Sequence, residues 1–179
     1  LKVSEIKKKL NNISGILIPG GFGKRGTDGK IEAIKYARKN KIPFLGICLG
    51  MQMAVIEYAR NVKKIRYASS TEISEKCKDP VIDLMTSQKE VINKGGTMRL
   101  GAWDCEIIKN TITHKIYNKK KISERHRHRY EFNNEYSKII FDDSFIVTGR
   151  NPETNLVEIV ENRDHPWFIG VQFHPEYKS

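Results

Sequence analysis

The sequence has 179 residues, of which 39% are hydrophobic, enough for one soluble domain with a buried core. No apolar run approaches the roughly 18 residues of a membrane span, and the first ten residues have no signal-peptide pattern, so we expect neither a membrane partner nor export. The formal net charge of +11 would permit binding to a polyanion, but the lysines are spread along the chain, often beside asparagine, and we expect no nucleic-acid partner.

The chain has three cysteines, Cys48, Cys77 and Cys105, with no short spacing between them. An odd number of widely spaced cysteines argues against a disulfide framework. We therefore predict free thiols in a reducing cytoplasm, and we assign no metal site.

The first forty residues predict helix, strand, helix. Residues 4–11 have apolar side chains four apart among lysines, and residues 15–19 form a short apolar run that ends in a glycine-rich segment. Residues 27–40 predict a second helix, with Thr27 or Asp28 as its N-cap.

The next strand and helix meet at Cys48. Residues 42–47 are apolar and predict a short strand buried on both faces. From Leu49 onward the apolar spacing is that of a helix, with members Met51, Val55, Tyr58 and Val62. Strands that alternate with helices at this spacing predict βαβ units and a parallel sheet.

Cys48 has a glycine two residues before it, Gly46, and another two residues after it, Gly50. This is the spacing of a nucleophile elbow, a sharp strand-to-helix turn that exposes the nucleophile at the carboxyl edge of a sheet. The helix N-terminus there favours a thiolate. The alternative is that Cys48 is a buried apolar residue, as most free cysteines are; the two glycines favour catalysis.

The second half of the chain predicts mainly strands. We interpret residues 74–95 as a mobile insertion with a possible strand at 81–85, and residues 98–108 as a strand. Three more strands, separated by Asn-Pro and His-Pro turn signals, are expected at 145–149, 156–160 and 168–173. The predicted fold is therefore α/β, with a mainly parallel central sheet flanked by helices and an antiparallel extension.

The last predicted strand leads directly into His174-Pro175-Glu176. A histidine at this sheet edge could take the proton of Cys48 and later protonate a leaving amine, and Glu176 could fix its tautomer. Taken without Cys48, the same three residues would be a surface turn.

The glycine-rich segment Gly20–Gly23 has three possible uses. Residues 21–26 match the G-x-G-x-x-G dinucleotide fingerprint, but the acidic residue expected about 20 positions later is missing. Lys24 follows Gly23, but the G-x-x-x-x-G-K-[S/T] pattern of a phosphate loop is absent. We therefore expect backbone N–H groups for an oxyanion, from Gly21 together with Leu49.

Three short segments resemble the signatures of class I, triad-type glutamine amidotransferases: PGGFG at 19–23, GICLGMQ at 46–52 and QFHPE at 172–176. Finer features resemble the amidotransferase domains of CTP synthases, namely GFGKRGTDGKI (21–31), SSTEI (69–73), GGTMRLGAWDC (95–105), ERHRHRYEFNN (124–134) and HPWF (165–168). The resemblance runs from about residue 14 to residue 179 and implies one amidotransferase domain over 1–179 with a flavodoxin-like core.

Carried over residue by residue, the resemblance implies that Cys48 is the nucleophile that forms a γ-glutamyl thioester from L-glutamine. His174 would be the general acid and base, and Glu176 would orient it. Gly21 and Leu49 would form the oxyanion hole. The implied glutamine-binding residues are Gly21, Phe22, Leu49, Gly50, Met51, Gln52, Glu72 and Arg129.

The charges agree with this assignment, because the ammonium group of an amino acid needs a carboxylate such as Glu72 and its carboxylate needs an arginine such as Arg129. Without the resemblance, residues 125–129 (RHRHR) would be a basic patch for phosphates. Their alternation predicts that some of these side chains point into the glutamine pocket and others toward a partner domain.

The resemblance also implies partners outside this sequence. We expect no cofactor in this domain, ATP and Mg²⁺ in an N-terminal synthase domain that is absent here, and GTP as an allosteric activator of the full enzyme. The full-length protein would be a homo-oligomer, a tetramer, and the chain would be a fragment of it.

Three alternatives remain open from the sequence. The chain could belong to another triad amidotransferase, such as those that serve GMP or anthranilate synthesis. It could be a non-catalytic assembly module, although all three triad positions are filled. It could also be a stand-alone cysteine hydrolase that acts on γ-glutamyl compounds.

Overall fold

The computed structural model describes residues 3–84 and 98–177. Its strands are β1 (Ile16–Ile18), β2 (Phe44–Ile47), β3 (Ala68–Ser70), β4 (Asp79–Leu84), β5 (Arg99–Ile107), β6 (Lys121–His128), β7 (Tyr130–Phe132), β8 (Phe145–Arg150), β9 (Val157–Asn162) and β10 (Phe168–Val171). Its helices are α1 (Val3–Lys9), α2 (Thr27–Asn40), α3 (Leu49–Asn61), α4 (Ile112–Tyr117) and α5 (Ser137–Ile140), with short 3₁₀ turns at Asn134–Tyr136 and Pro175–Tyr177.

Seven strands form one mixed sheet in the order β1-β2-β10-β9-β8-β5-β6. Strands β1, β2 and β10 run parallel, and four of the six pairings among the described residues are antiparallel. The α/β class and the antiparallel extension are confirmed, and the extension is larger than we expected because the long antiparallel pair β5–β6 joins it. A second, three-stranded sheet has the order β3-β4-β7.

Helix α3 is the centre of the main hydrophobic core. Residues 49–59 are all buried, because the seven-stranded sheet, α2 and the three-stranded sheet all pack around this helix. One charge lies among them: Glu57 accepts a bidentate pair of hydrogen bonds from Arg38 of α2, at 2.8 and 2.7 Å. A fully paired buried carboxylate avoids the cost of an isolated charge, so this pair fixes α2 against α3.

The other face of the large sheet carries a second apolar cluster, covered by α4. Cys105, Ile122 and Val171 belong to this cluster, and Tyr117 and Trp167 pack against it. All three cysteines are free thiols. None of the helices in the described part of the chain combines the length and the apolar character needed to cross a bilayer.

Two local predictions are wrong. Neither Thr27 nor Asp28 caps α2; its N-cap is Gly26, in the left-handed region at φ 73°, without a side-chain cap. The Thr27 hydroxyl instead donates to the carbonyl of Lys24 at 3.1 Å. Glycine adopts the left-handed conformation at little cost in energy, so the chain turns into the helix at Gly26.

The interpretation of residues 74–95 as a mobile insertion is also wrong for its middle part. Strand β4 lies between β3 and β7, and its residues Val81 and Ile82 are fully buried in the main core. The last part of that prediction, residues 85–95, lies outside the described residues.

We expect Gly50→Ala to destabilise the fold severely. A Cβ at Gly50 would lie 2.1 Å from the backbone oxygen of Ile18, and the backbone of β1, which is paired with β2, cannot move aside cheaply. The expected loss in the free energy of unfolding is at least about 3 kcal/mol, measurable by urea denaturation. The control is Gly15→Ala, where the Cβ makes ordinary contacts at 3.6 Å or more; equal losses in the two variants would contradict this account.

Candidate active site

Cys48 lies at the tight turn between β2 and α3. Its backbone has φ 51° and ψ −104°, a conformation that non-glycine residues rarely adopt. Its N–H donates to the carbonyl of Val171 in β10 at 2.7 Å, and its carbonyl accepts from the N–H of Gln52 at 3.2 Å. Gly46 and Gly50 permit the turn, since a Cβ on Gly46 would lie 2.7 Å from the backbone of Gly50.

The sulfur of Cys48 is buried, with the residue only 2% exposed. Burial raises the pKa of this thiol to about 12, although the backbone N–H of Leu49 opposes the shift. The N-terminus of α3 favours the thiolate, as expected, but desolvation outweighs this effect. In this resting arrangement the sulfur holds its proton at neutral pH and needs a base to remove it.

His174 supplies a base next to that sulfur. Its backbone N–H donates to the carbonyl of Arg125 at the sheet edge (2.8 Å), and its ring Nδ1 lies 2.7 Å from Oε1 of Glu176. A Cβ built on Gly20 would lie 2.6 Å from His174 Cε1 and 3.6 Å from Cys48 Cβ, so ring and thiol flank the same glycine. With Nδ1–H donating to Glu176, the Nε2 lone pair is the one available to take a proton.

A cavity of about 300 Å³ opens beside the thiol. Five of the predicted glutamine-binding residues line it: Gly21, Phe22, Gln52, Glu72 and Arg129. The other lining residues are Cys48, Met98, His128 and Tyr130. The predicted carboxylate and arginine thus face the same space as the sulfur. One oxygen of Glu72 also accepts from the N–H of Gly23 at 2.7 Å, which ties the glycine-rich segment to this wall.

Three of the predicted glutamine-binding residues do not line this cavity: Leu49, Gly50 and Met51. Gly50 packs on the backbone of Ile18, and Met51 is fully buried in the core. Gly50 and the side chains of Leu49 and Met51 therefore contribute to the packing of the core and not to the cavity wall. The backbone N–H of Leu49 nevertheless lies beside the Cys48 sulfur, where it lowers the pKa of the thiol.

A buried cluster of charges and imidazoles lies behind the cavity wall. Arg99 donates to Glu131 at 3.3 Å and to Glu158 at 2.6 Å, and His126 Nδ1 lies 2.8 Å from His128 Nε2. Burial and then the Arg99 charge lower the pKa of His126 to about 2 and that of His128 to about 3, so both rings are neutral. Residues 125–128 of the RHRHR segment thus end β6, with inward-pointing histidines and exposed arginines, and Arg129 follows the strand and lines the cavity.

Sequence reasoning did not assign Met98, His128 or Tyr130 to the cavity, nor Gln172 to the sulfur. His128 and Tyr130 flank the predicted Arg129, and Gln172 lies in the QFHPE motif, so the signal was their adjacency to assigned residues. Within the described ranges, no group of three or more histidine, cysteine, aspartate or glutamate side chains could hold a metal ion.

Comparison with known proteins decides the family. The model of the family described as glutamine amidotransferase class-I matches residues 1–179. The chain belongs to the class I glutamine amidotransferase family. Two curated relatives of this amidotransferase are named CTP synthase: one from Christiangramia forsetii, 60% identical over 176 residues, and one from Clostridium acetobutylicum, 60% identical over 170 residues.

These relatives are much longer than this amidotransferase chain. The alignments cover 98% and 95% of the chain but 32% of each relative, so the chain spans about a third of their length.

Solved structures also resemble this amidotransferase. A Trypanosoma brucei structure, described as the CTPS glutaminase domain with bound acivicin, superposes with a TM-score of 0.91 at 42% identity, covering 98% of this chain and 68% of that one. A glutamine amidotransferase from Thermotoga maritima has a TM-score of 0.59 at 17% identity, covering 93% and 58%, which shows the shared fold alone.

Proposed function

We propose that this chain is the glutaminase part of a CTP synthase, which hydrolyses L-glutamine and supplies ammonia for the amination of UTP. The observation that carries the proposal is the convergence of Cys48 and the His174–Glu176 pair beside a cavity lined by Glu72 and Arg129. The relatives named CTP synthase and the acivicin-bound T. brucei glutaminase domain support it.

The proposed chemistry begins with proton transfer from the Cys48 thiol to Nε2 of His174. The sulfur then attacks the side-chain amide carbon of glutamine, and the N–H groups of Gly21 and Leu49 stabilise the oxyanion. When the C–N bond breaks, His174 returns the proton to the leaving ammonia. A water molecule, deprotonated by His174, then hydrolyses the γ-glutamyl thioester to glutamate and restores the thiol.

The cavity suits the two ends of an amino acid. Glu72 offers a carboxylate to the α-ammonium group, and Arg129 offers a guanidinium to the α-carboxylate. Phe22, which is 61% exposed, also lines the cavity. These three side chains would hold glutamine with its amide toward Cys48.

The remaining steps belong to the rest of the full-length protein. There, ATP and Mg²⁺ would activate UTP for attack by ammonia, giving CTP, ADP, phosphate and glutamate, with GTP as the allosteric activator. We assign no residue of this chain to these ligands. The partner is the N-terminal synthase domain of the same polypeptide, in a cytoplasmic homotetramer.

The test follows the amide nitrogen. The full-length protein is given glutamine labelled with ¹⁵N at the amide, together with UTP, ATP, Mg²⁺ and GTP, and CTP is analysed by mass spectrometry. Label in CTP is the expected result. Label in another acceptor would indicate a different amidotransferase. Release of ammonia without transfer to any acceptor would indicate a stand-alone hydrolase. If no ammonia were released, the chain would be an assembly module.

We expect Arg129→Met to weaken glutamine binding. The methionine keeps the length of the side chain but loses the charged hydrogen bonds to the α-carboxylate, so KM for glutamine should rise about 10- to 100-fold with little change in kcat. The matched control is Arg127→Met, two residues earlier in β6, because Arg127 is exposed and does not line the cavity. A similar rise in both variants would show that Arg129 acts only through the surface charge.

A further inference from the structure

Two buried glutamines connect the wall of the cavity to the sulfur of Cys48. Gln52 Nε2 donates to the carbonyl of Tyr130 at 2.9 Å and to Oε1 of Gln172 at 3.2 Å. Gln172 Nε2 in turn lies 3.7 Å from Cys48 Sγ, within the range of a hydrogen bond to sulfur. The two residues are 2% and 0% exposed, so neither amide has bulk water as an alternative partner.

The network itself determines which way each amide points. A backbone carbonyl only accepts, so the atom of Gln52 that faces Tyr130 must be its NH₂ group. The second N–H of that group points to Gln172, which must therefore present its oxygen. The other end of the Gln172 amide is then the NH₂ group, and it faces the sulfur.

We propose that Gln172 is a further catalytic residue, whose amide N–H donates to the Cys48 sulfur and stabilises the thiolate formed when His174 takes the proton. The inference deepens the proposed function and rests on Cys48 being its nucleophile. A thiolate accepts a hydrogen bond far better than a thiol does, so this contact strengthens as the sulfur ionises. Without such donors, a sulfur this deeply buried would ionise only at a large cost in desolvation.

The same network defines what Gln52 offers to a ligand. Both of its N–H groups are used by Tyr130 and Gln172, so the group that it can direct into the cavity is its carbonyl oxygen. A ligand that donates an N–H to this oxygen would hold Gln52 and, through it, the orientation of Gln172. Occupation of the cavity would thus be coupled to the donor at the sulfur.

The experiment measures how the alkylation of Cys48 by iodoacetamide depends on pH, with peptide mass spectrometry to separate Cys48 from Cys77 and Cys105. Only the thiolate reacts, so the profile reports its stability without any glutamine turnover. In Gln172→Met, which has a similar shape but no N–H, the rate at neutral pH should fall about tenfold and the profile should move to higher pH. A failure of glutamine hydrolysis would leave this readout intact, so the two proposals fail separately.

The other titratable or charged groups around the sulfur are unchanged in this variant; they are Glu72, His128, Arg129, Glu131, His174 and Glu176. Gln52→Met provides a second test, because it removes the donor that orients Gln172 without touching the sulfur. We expect a shift in the same direction but smaller, about threefold in rate.

The matched control is Asn151→Leu. Asn151 is a buried amide that bonds to the carbonyl of Asp104 and does not line the cavity, so its loss tests the effect of lower stability alone. An unchanged alkylation profile in a folded Gln172→Met protein, or a shift as large in Asn151→Leu, would overturn the proposal. If Gln172→Met does not fold, an unchanged profile in Gln52→Met overturns it.

Discussion

Replacing Cys48 with alanine should abolish glutamine hydrolysis, with a fall in rate of at least about 10⁴-fold. Alanine keeps the turn between β2 and α3 but removes the atom that attacks the amide carbon. No second thiol can take over, because neither Cys105, which is fully buried, nor Cys77 lines the cavity. The measurement is the release of glutamate and ammonia by the purified protein.

The control for this substitution is Cys77→Ala, which removes a half-buried thiol outside the cavity and should leave the rate within about twofold, as expected for a change that touches no part of the site. Circular dichroism of both variants checks that the fold is intact. Residual hydrolysis in a folded Cys48→Ala protein at more than about a hundredth of the original rate would exclude Cys48 as the nucleophile.

Replacing His174 with glutamine should lower the rate of hydrolysis by about 10³- to 10⁴-fold. The burial that raises the pKa of Cys48 to about 12 leaves almost no thiolate at neutral pH unless a base takes the proton. The glutamine side chain at position 174 can still form hydrogen bonds, but it cannot accept and return a proton. Glutamate release under saturating glutamine would show the loss in kcat, and the alkylation of Cys48 should slow as well.

His114→Gln is the matched control, because it makes the same chemical change in α4, outside the cavity. Its rate should stay near that of the unmodified protein. If His174→Gln retained most of its activity, the assignment of His174 as the base would be wrong, and the base would have to be sought among the other groups that line the cavity.

The turn around Cys48 was predictable because its cause is local. Gly46 and Gly50 are the residues that let the strand approach the helix, and the apolar period changes from that of a strand to that of a helix at Leu49. The same holds for the helix bounds 27–40 and for the strand that leads to His174. The convergence of Cys48 and His174 followed from the rule that parallel strands end at one edge of a sheet.

The parts that could not be predicted depend on long-range partners. Arg99 and Glu158 are charged residues, and their polarity alone predicts exposed positions. They are buried because they pair with each other across the sheet, which the sequence does not reveal. A possible strand is predicted at 81–85, but the pairing of β4 with β3 and β7, which builds it into the fold, is contained in no local pattern. The role of Gln172 requires the orientation of Gln52, which no local pattern contains.

The central claim is that Cys48 is a nucleophile inside a pocket that recognises glutamine. The most direct test is intact and peptide mass spectrometry after treatment with a glutamine-like diazoketone, which alkylates an activated nucleophile and requires no synthase domain. The account predicts one adduct, on Cys48, that excess L-glutamine prevents and that Cys48→Ala abolishes. No adduct, or equal labelling of Cys77 and Cys105, would contradict it.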